Sequence, residues 1–189
     1  MRLSMIDKIT GTGILLLAFA SHSLAGSLTL TSQDMSQGKF LNKAQEFNGF
    51  GCSGDDISPQ LSWSGAPSNT KSFAITAYDP DAPTGSGWWH WQLINIPKHV
   101  TELAAGAGTT KTSSIPADSL HVRNDYGVKG FGGACPPKGH GIHHYQFTIH
   151  ALSVESITLP DNASSALAGY MINANAIESF TLEALYKRD

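Results

Sequence analysis

The chain has 189 residues, of which 14% are charged and 41% hydrophobic, with 12 Lys and Arg against 15 Asp and Glu. This length suits one domain, and the low charge with 19 Gly and 9 Pro residues excludes a coiled coil and a disordered tail. The formal net charge of -3 does not provide the basic surface that nucleic-acid binding requires, so we expect no nucleic-acid partner.

The first 25 residues have the pattern of a secretory signal peptide. Arg2 and Lys8 precede an apolar run over residues 9–20, and small residues end the segment at Ala25. We predict cleavage after Ala25, which leaves residues 26–189 as a single domain. The apolar run is shorter than the roughly 20 residues that span a bilayer, so we expect no integral membrane span and a periplasmic or secreted protein. The alternative is a retained N-terminal anchor.

Apolar residues recur at every second position in six segments, which is the period of a half-buried strand. These segments begin at Leu28, Leu61, Phe73, Trp89, Tyr145 and Phe180. In the fourth segment the alternation predicts Trp89 and Trp91 on one face and His90 with Gln92 on the other. Short strands separated by Gly- and Pro-rich turns predict a mainly β fold, a β-sandwich of antiparallel sheets with a few peripheral helices.

One segment, residues 163–174, has helical spacing of its apolar residues, with Asn162 as the expected N-cap. The predicted buried face consists of Leu167, Tyr170, Met171 and Ala174.

The chain has two cysteines, Cys52 and Cys135. In an oxidising compartment an even pair is more often a disulfide than two free thiols, and a bridge across this long loop would contribute about 4 kcal/mol in the chain-entropy model. We therefore predict a disulfide between them.

Three clusters place polar or rigid residues beside strands. Asp79 and Asp81 lie between prolines in DPDAP, His90 lies among tryptophans in GSGWWHW, and residues 135–145 carry three histidines in CPPKGHGIHHY. The alternation predicts that His143 and Tyr145 share one strand face and that His144 lies on the other.

These clusters also allow two other interpretations, a metal site and a hydrolase active site, which the sequence supports less well. A zinc site could use His140, His143 and His144 with a carboxylate or Cys135, but His143 and His144 are expected on opposite faces. A hydrolase triad could combine Ser86, Asp79 and one of the histidines, but the chain lacks a Gly-x-Ser-x-Gly turn. We expect no catalytic residue, no metal and no cofactor.

Taken together, three long motifs resemble the bacterial branch of the phosphatidylethanolamine-binding proteins, also called Raf kinase inhibitor-like proteins. The motifs are NGFGCSGDDISPQLSW at residues 48–63, DPDAPTGSGWWHWQLINIP at residues 79–97 and PPKGHGIHHYQFTIHAL at residues 136–152. The resemblance implies a Greek-key β-sandwich with a small anion pocket. Its implied ligand-binding residues are Asp79, Asp81, Pro83, His90, Pro136, Pro137, His143 and Tyr145.

From these residues we expect an exported, non-enzymatic binding protein for a phosphorylated head group or a phosphorylated side chain of a partner protein. It would act as an inhibitor or modulator of that partner. The alternatives are a weak hydrolase or phosphoryl-handling enzyme at the same pocket, and a protease inhibitor or host-directed effector that acts through its surface. The resemblance also implies a homodimer, for which the turn at Gly87 and Trp88 is the expected exposed contact.

Overall fold

A computed structural model describes residues 27–110 and 114–189, so the predicted signal peptide at residues 1–25 lies outside the described residues. The strands in this part of the chain are β1 (Thr29–Thr31), β2 (Asn48–Gly49), β3 (Cys52–Ser53), β4 (Leu61–Ser64), β5 (Ser72–Asp79), β6 (Trp88–Pro97), β7 (Glu102–Leu103), β8 (Leu120–His121), β9 (His143–Leu152) and β10 (Ala176–Tyr186). One α-helix, α1 (Ser165–Asn175), and a 3-10 turn (Lys43–Gln45) complete the regular structure. No helix among these residues is long and apolar enough to cross a membrane.

The strands form a five-stranded sheet in the order β10-β9-β5-β6-β8, a three-stranded sheet in the order β1-β4-β7, and the small hairpin β2-β3. All of their pairings are antiparallel. The main core lies between the two larger sheets, where Leu30 and Trp63 of the smaller sheet belong to the same buried cluster as Ile75 and Phe147 of the larger one. The predicted Greek-key β-sandwich with few peripheral helices is confirmed, and each of the six alternating segments contributes a strand.

A β-bulge in β6 changes which residues share a face. Trp89 pairs with Tyr78 and Trp91 pairs with Ala77, so β6 advances by two residues where β5 advances by one. Trp91 therefore belongs to the inner core, whereas Trp89 lies on the outer face with Tyr78. The prediction that Trp89 and Trp91 share one face was wrong because a bulge adds a residue to one strand and interrupts the period of two.

Helix α1 packs on the outer face of the larger sheet, but through a different face from the one predicted. Ala168, Gly169 and Ile172 are buried, whereas Tyr170 is 69% exposed. The small residues allow close approach, since a Cβ added at Gly169 would lie 3.2 Å from the Trp89 ring. The buried face is also apolar, since Ala168 and Ile172 belong to a hydrophobic cluster with residues of the sheet. The predicted face was wrong because helical spacing alone does not say which of two apolar faces the sheet covers.

The start of α1 also differs from the prediction. Ser164 is the N-cap, and its hydroxyl accepts a hydrogen bond from the backbone N–H of Leu167 at 3.1 Å, so Asn162 precedes the cap.

Candidate functional site

A cavity of about 190 Å³ opens at one end of the sandwich, where β5 ends and β6 and β9 begin. Its described lining residues are Phe50, Asp79, Ala82, Pro83, Thr84, Trp88, His90, Tyr126, Cys135, Pro136, Pro137, His143 and Tyr145. Seven of the eight residues implied by the resemblance are in this set. The structure thus brings together segments that are far apart in sequence.

Asp81 is the implied residue that does not line the cavity. Its carboxylate accepts hydrogen bonds from the backbone N–H of His144 at 2.8 Å and from Nδ1 of the same residue at 2.7 Å. Although burial opposes the shift, these His144 contacts hold the Asp81 pKa below its usual value, and the Asp81 carboxylate raises the His144 pKa. Asp81 therefore fastens the proline-rich loop to β9 on the outer face.

Asp79 and His143 form a buried pair in the cavity wall. Nδ1 of His143 lies 2.6 Å from Oδ2 of Asp79, and Oδ1 of Asp79 accepts a hydrogen bond from the backbone N–H of Asp81 at 2.8 Å. Both carboxylate oxygens of Asp79 are thus occupied, and Nδ1 of His143 is the donor. Nε2 of His143 lies 2.8 Å from Nδ1 of His140 on the loop before β9.

His90 is buried at the bulge in β6, and its ring orientation is set by backbone carbonyls. Nδ1 lies 2.8 Å from the carbonyl oxygen of Gly132 and 3.1 Å from that of Gly133. A carbonyl oxygen can only accept, so Nδ1 carries the proton, and in the neutral ring Nε2 is an acceptor. Burial lowers the His90 pKa, against the opposing effect of the two carbonyls and Asp79. The neutral ring is therefore favoured.

Gly133, one of the two glycines whose carbonyls contact His90, is itself held by hydrogen bonds. The backbone N–H of Gly133 donates to Oδ1 of Asp56 at 2.6 Å, and the Tyr126 hydroxyl donates to the Gly133 carbonyl at 2.9 Å. A Cβ added at Gly133 would lie 2.4 Å from the carbonyl oxygen of Gln45, so only glycine fits. These contacts fix the carbonyls that select the His90 tautomer.

Three residues that line the cavity each have a buried polar atom without a hydrogen-bond partner among the described residues: Nε2 of His90, Nε1 of Trp88 and the hydroxyl of Tyr145. Burial raises the Tyr145 pKa, and the nearby Asp79 carboxylate raises it further, although no acceptor meets the hydroxyl at hydrogen-bond geometry. An unpartnered buried polar group costs free energy, so a polar ligand that reached all three would remove that cost.

Aromatic residues form another part of the cavity wall. Tyr126 stacks on Phe47 with ring centroids 3.9 Å apart, and Trp88 meets Tyr126 edge-on at 5.2 Å. Phe50 lies at the tip of the β2-β3 hairpin and is 74% exposed. Gly87 is buried and Trp88 is half-buried, so this turn is less exposed than expected, and the dimer contact predicted there stays a prediction.

The predicted disulfide between Cys52 and Cys135 is confirmed, with the two Cα atoms 6.0 Å apart. It joins the β2-β3 hairpin to the loop that carries Pro136 and Pro137. Arg188 strengthens the same junction by donating to the Pro136 carbonyl at 3.2 Å and to the Gly51 carbonyl at 2.8 Å. The bridge therefore fixes two sides of the cavity mouth relative to each other.

The structure does not assemble either alternative site. In the described part of the chain no three His, Cys, Asp or Glu side chains form a group that could hold a metal ion. His143 faces the cavity and His144 pairs with Asp81 outside it, as the alternation predicted. Ser86 is exposed and does not line the cavity, so it is not placed beside His90 or Asp79.

The sequence interpretation missed several lining residues, namely Phe50, Ala82, Thr84, Trp88 and Tyr126. Four of them lie inside the quoted motifs, so the motifs indicated these positions, although only some motif residues were predicted to bind the ligand. Tyr126 lies in the irregular segment after β8, outside every motif and every periodic pattern. Only its contacts with Phe47 and His90 reveal its place in the site.

The chain is similar to known proteins in sequence and in fold. Residues 31–187 match the phosphatidylethanolamine-binding protein family. The Escherichia coli protein YbcL is 50% identical over 172 residues, 90% of this chain and 94% of YbcL. Its crystal structure, described as a new member of the mammalian PEBP family, has a TM-score of 0.84 with 49% identity and covers 87% of this chain and all of that one.

Two further relatives are E. coli YbhB, 43% identical over 159 residues (84% of this chain, 99% of YbhB), and LppC of Mycobacterium tuberculosis. LppC is named as a lipoprotein and is 37% identical over 123 residues, 65% of this chain and 56% of its own length. The chain belongs to the phosphatidylethanolamine-binding protein family.

Proposed function

We propose that this chain is an exported, non-enzymatic binding protein whose cavity accepts a phosphoryl group, carried by a small head group or by a side chain of a partner protein. The observation that carries the proposal is the set of three unpartnered buried polar atoms on His90, Trp88 and Tyr145. A phosphoryl group has several oxygens around one centre, so it can form hydrogen bonds with several polar atoms of one cavity.

A binding role is also supported by the state of the groups that could act as nucleophiles. Cys135 is held in the disulfide, and the raised pKa of Tyr145 disfavours a phenolate. The hydroxyl of Thr84, at the cavity edge, donates to the backbone carbonyl of Gly87 at 2.5 Å. The prolines make parts of the cavity wall rigid, and the His90 ring is fixed by its hydrogen bonds. Such a rigid site suits ligand binding.

Calorimetry with phosphoethanolamine at pH 6 tests the binding role. We expect saturable one-site binding that is lost in His90→Ala and retained in His99→Ala, a control at an exposed turn. Absence of binding at millimolar ligand would contradict the proposal. Turnover of chromogenic phosphate or carboxyl esters that disappears in His90→Ala would contradict the non-enzymatic part and favour the hydrolase alternative.

Export is supported by three observations: the N-terminal signal pattern, the disulfide, and the similarity to a relative named as a lipoprotein. Fractionation of cells that express the full chain tests it. We expect the protein outside the cytoplasm with an N-terminus at Gly26, and a cytoplasmic protein that retains residues 1–25 would contradict export. We also propose a homodimer, which light scattering at known protein concentration checks.

A further inference from the structure

His90 presents a hydrogen-bond acceptor, not a donor, to the cavity. Its Nδ1–H group is committed to the carbonyl oxygens of Gly132 and Gly133, which leaves the Nε2 lone pair on the side without a partner. A fully deprotonated anion has only acceptor atoms and would place one of them against this lone pair. Because burial favours the neutral ring, a ligand that fills this contact has to supply the proton.

The charge of the wall also disfavours a dianion. No Lys or Arg is among the described residues that line the cavity, whereas the Asp79 carboxylate is. The other titratable or charged groups that face His90 are Tyr145 and His143 on β9 and Asp125, Tyr126 and Asp56 from the loops packed against it. None of these supplies a permanent positive charge, so each added negative charge on a ligand is poorly compensated.

The unpartnered atoms can be matched to a ligand by counting donors and acceptors. Trp88 offers one donor, the Tyr145 hydroxyl offers a second, and Nε2 of His90 offers one acceptor. The monoanion of a phosphomonoester has three non-bridging oxygens and one proton, so it can accept twice and donate once. A phosphodiester or a sulfate ester carries no such proton, and a carboxylic acid has only two oxygens.

We propose that the cavity selects phosphomonoesters and binds them as the monoanion, with the P–OH proton donated to Nε2 of His90. The proposal deepens the proposed function and rests on it. Because phosphomonoesters have a second pKa of about 6, binding takes up close to one proton well above that pH. Phosphodiesters and sulfate esters bind more weakly because no proton fills the contact with His90.

The test is calorimetry on the wild-type chain with methyl phosphate, dimethyl phosphate and methyl sulfate. For methyl phosphate we expect affinity about a hundredfold weaker at pH 8 than at pH 5, following the fraction of monoanion, and uptake of about one proton at pH 8 when two buffers of different ionisation enthalpy are compared. Dimethyl phosphate and methyl sulfate should bind at least tenfold more weakly than methyl phosphate at pH 5.

The other outcomes separate the two proposals. Equal binding of all three probes, or uptake of a proton with methyl sulfate, would overturn the monoanion inference while leaving phosphoryl binding intact, because the proton would then be taken up by the protein. Failure of every probe to bind at pH 5 would overturn the proposed function itself.

Two variants sharpen the result. In His90→Gln the side-chain amide can donate, so the preference for methyl phosphate over methyl sulfate should fall towards one. Tyr145→Phe should weaken both probes by similar factors and keep the proton uptake. If His90→Gln does not fold, Tyr145→Phe and the wild-type measurements still decide, since unchanged affinity and absent proton uptake would refute the proposal.

Discussion

The carboxylate of Asp56 accepts a hydrogen bond from the backbone N–H of Gly133 at 2.6 Å, and the carbonyl of Gly133 accepts one from Nδ1 of His90 at 3.1 Å. Asp56 thus acts on the pocket through a peptide group without lining the cavity. Its backbone φ is +57°, a conformation that Asn and Gly tolerate. This tolerance allows the hydrogen bond to be removed without adding backbone strain.

We expect Asp56→Gly to lower the free energy of unfolding by about 1–3 kcal/mol, because the Gly133 N–H loses its acceptor. Asp56→Asn keeps an acceptor oxygen and the same backbone preference, so it should lose less than half as much. Phosphoethanolamine affinity should fall in Asp56→Gly and be largely restored in Asp56→Asn. Urea unfolding and calorimetry measure both quantities, and equal behaviour of the two variants would contradict a positioning role for Asp56.

The indole N–H of Trp88 should strengthen ligand binding without contributing to the stability of the fold. Its N–H is buried without a partner, so Trp88→Phe removes an unpaired donor while retaining an aromatic ring beside Tyr126. We expect unchanged or slightly higher stability and about five- to tenfold weaker binding of methyl phosphate, because one hydrogen bond to the ligand is lost. A Trp88→Phe variant that binds as tightly as wild type would show that the indole nitrogen does not contact the ligand.

The disulfide should account for a large share of stability. Cys52 and Cys135 are 83 residues apart, and a loop of this length corresponds to about 4 kcal/mol in the chain-entropy model. The double variant Cys52→Ser/Cys135→Ser should lose about 2–5 kcal/mol of unfolding free energy and bind phosphoethanolamine more weakly, since Cys135 lines the cavity.

Urea unfolding of oxidised wild type and of the double variant measures the loss of stability. Reducing agent serves as the control, because it should destabilise wild type and leave the double variant unchanged. Two titratable thiols in the denatured, unreduced wild type would contradict the bridge.

His150 should make stability depend on pH in the mildly acidic range. Burial lowers its pKa from 6.5 to about 4, and Nε2 and Nδ1 contact the hydroxyl groups of Thr76 at 3.2 Å and Ser179 at 2.9 Å. Between pH 6.5 and 4 the unfolded chain binds a proton at His150 and the folded chain does not. Stability therefore falls as pH decreases through this window, by about 1.4 kcal/mol per unit.

His150→Gln removes this titration while keeping polar contacts. Between pH 6 and 4.5 the slope of its unfolding free energy against pH should therefore be smaller than that of wild type, by the amount that corresponds to about one proton. His121 also has a pKa lowered to about 4 by burial, so some dependence remains in the variant. Glu46 contributes in a separate window: although burial opposes it, hydrogen bonds from Lys43 and Tyr186 lower its pKa from 4.5 to about 2, and its stabilisation is lost below pH 4.5. Identical slopes for wild type and His150→Gln would contradict the assignment.

The sequence by itself determined six of the ten described strands, the sandwich class and the cysteine pair. Alternation in β5 and β9 sets Phe73 and Ile149 on the inner face because the pleat has a strict period of two wherever no residue is added. The motifs also named most of the residues around the cavity. These features depend on local chemistry and on segments long enough to be recognised without knowledge of their neighbours.

Only the tertiary structure decided how those residues act. The bulge opposite Ala77 and Tyr78 separates Trp89 from Trp91. Helix α1 packs on the sheet through Ala168, Gly169 and Ile172 and not through the predicted face. Tyr126 enters the site from an irregular loop, and His144 holds Asp81 outside it. The Gly132 and Gly133 carbonyls place the proton on Nδ1 of His90, and burial favours the neutral ring in which Nε2 is an acceptor. A histidine tautomer depends on its partner atoms, and those partners are distant in sequence.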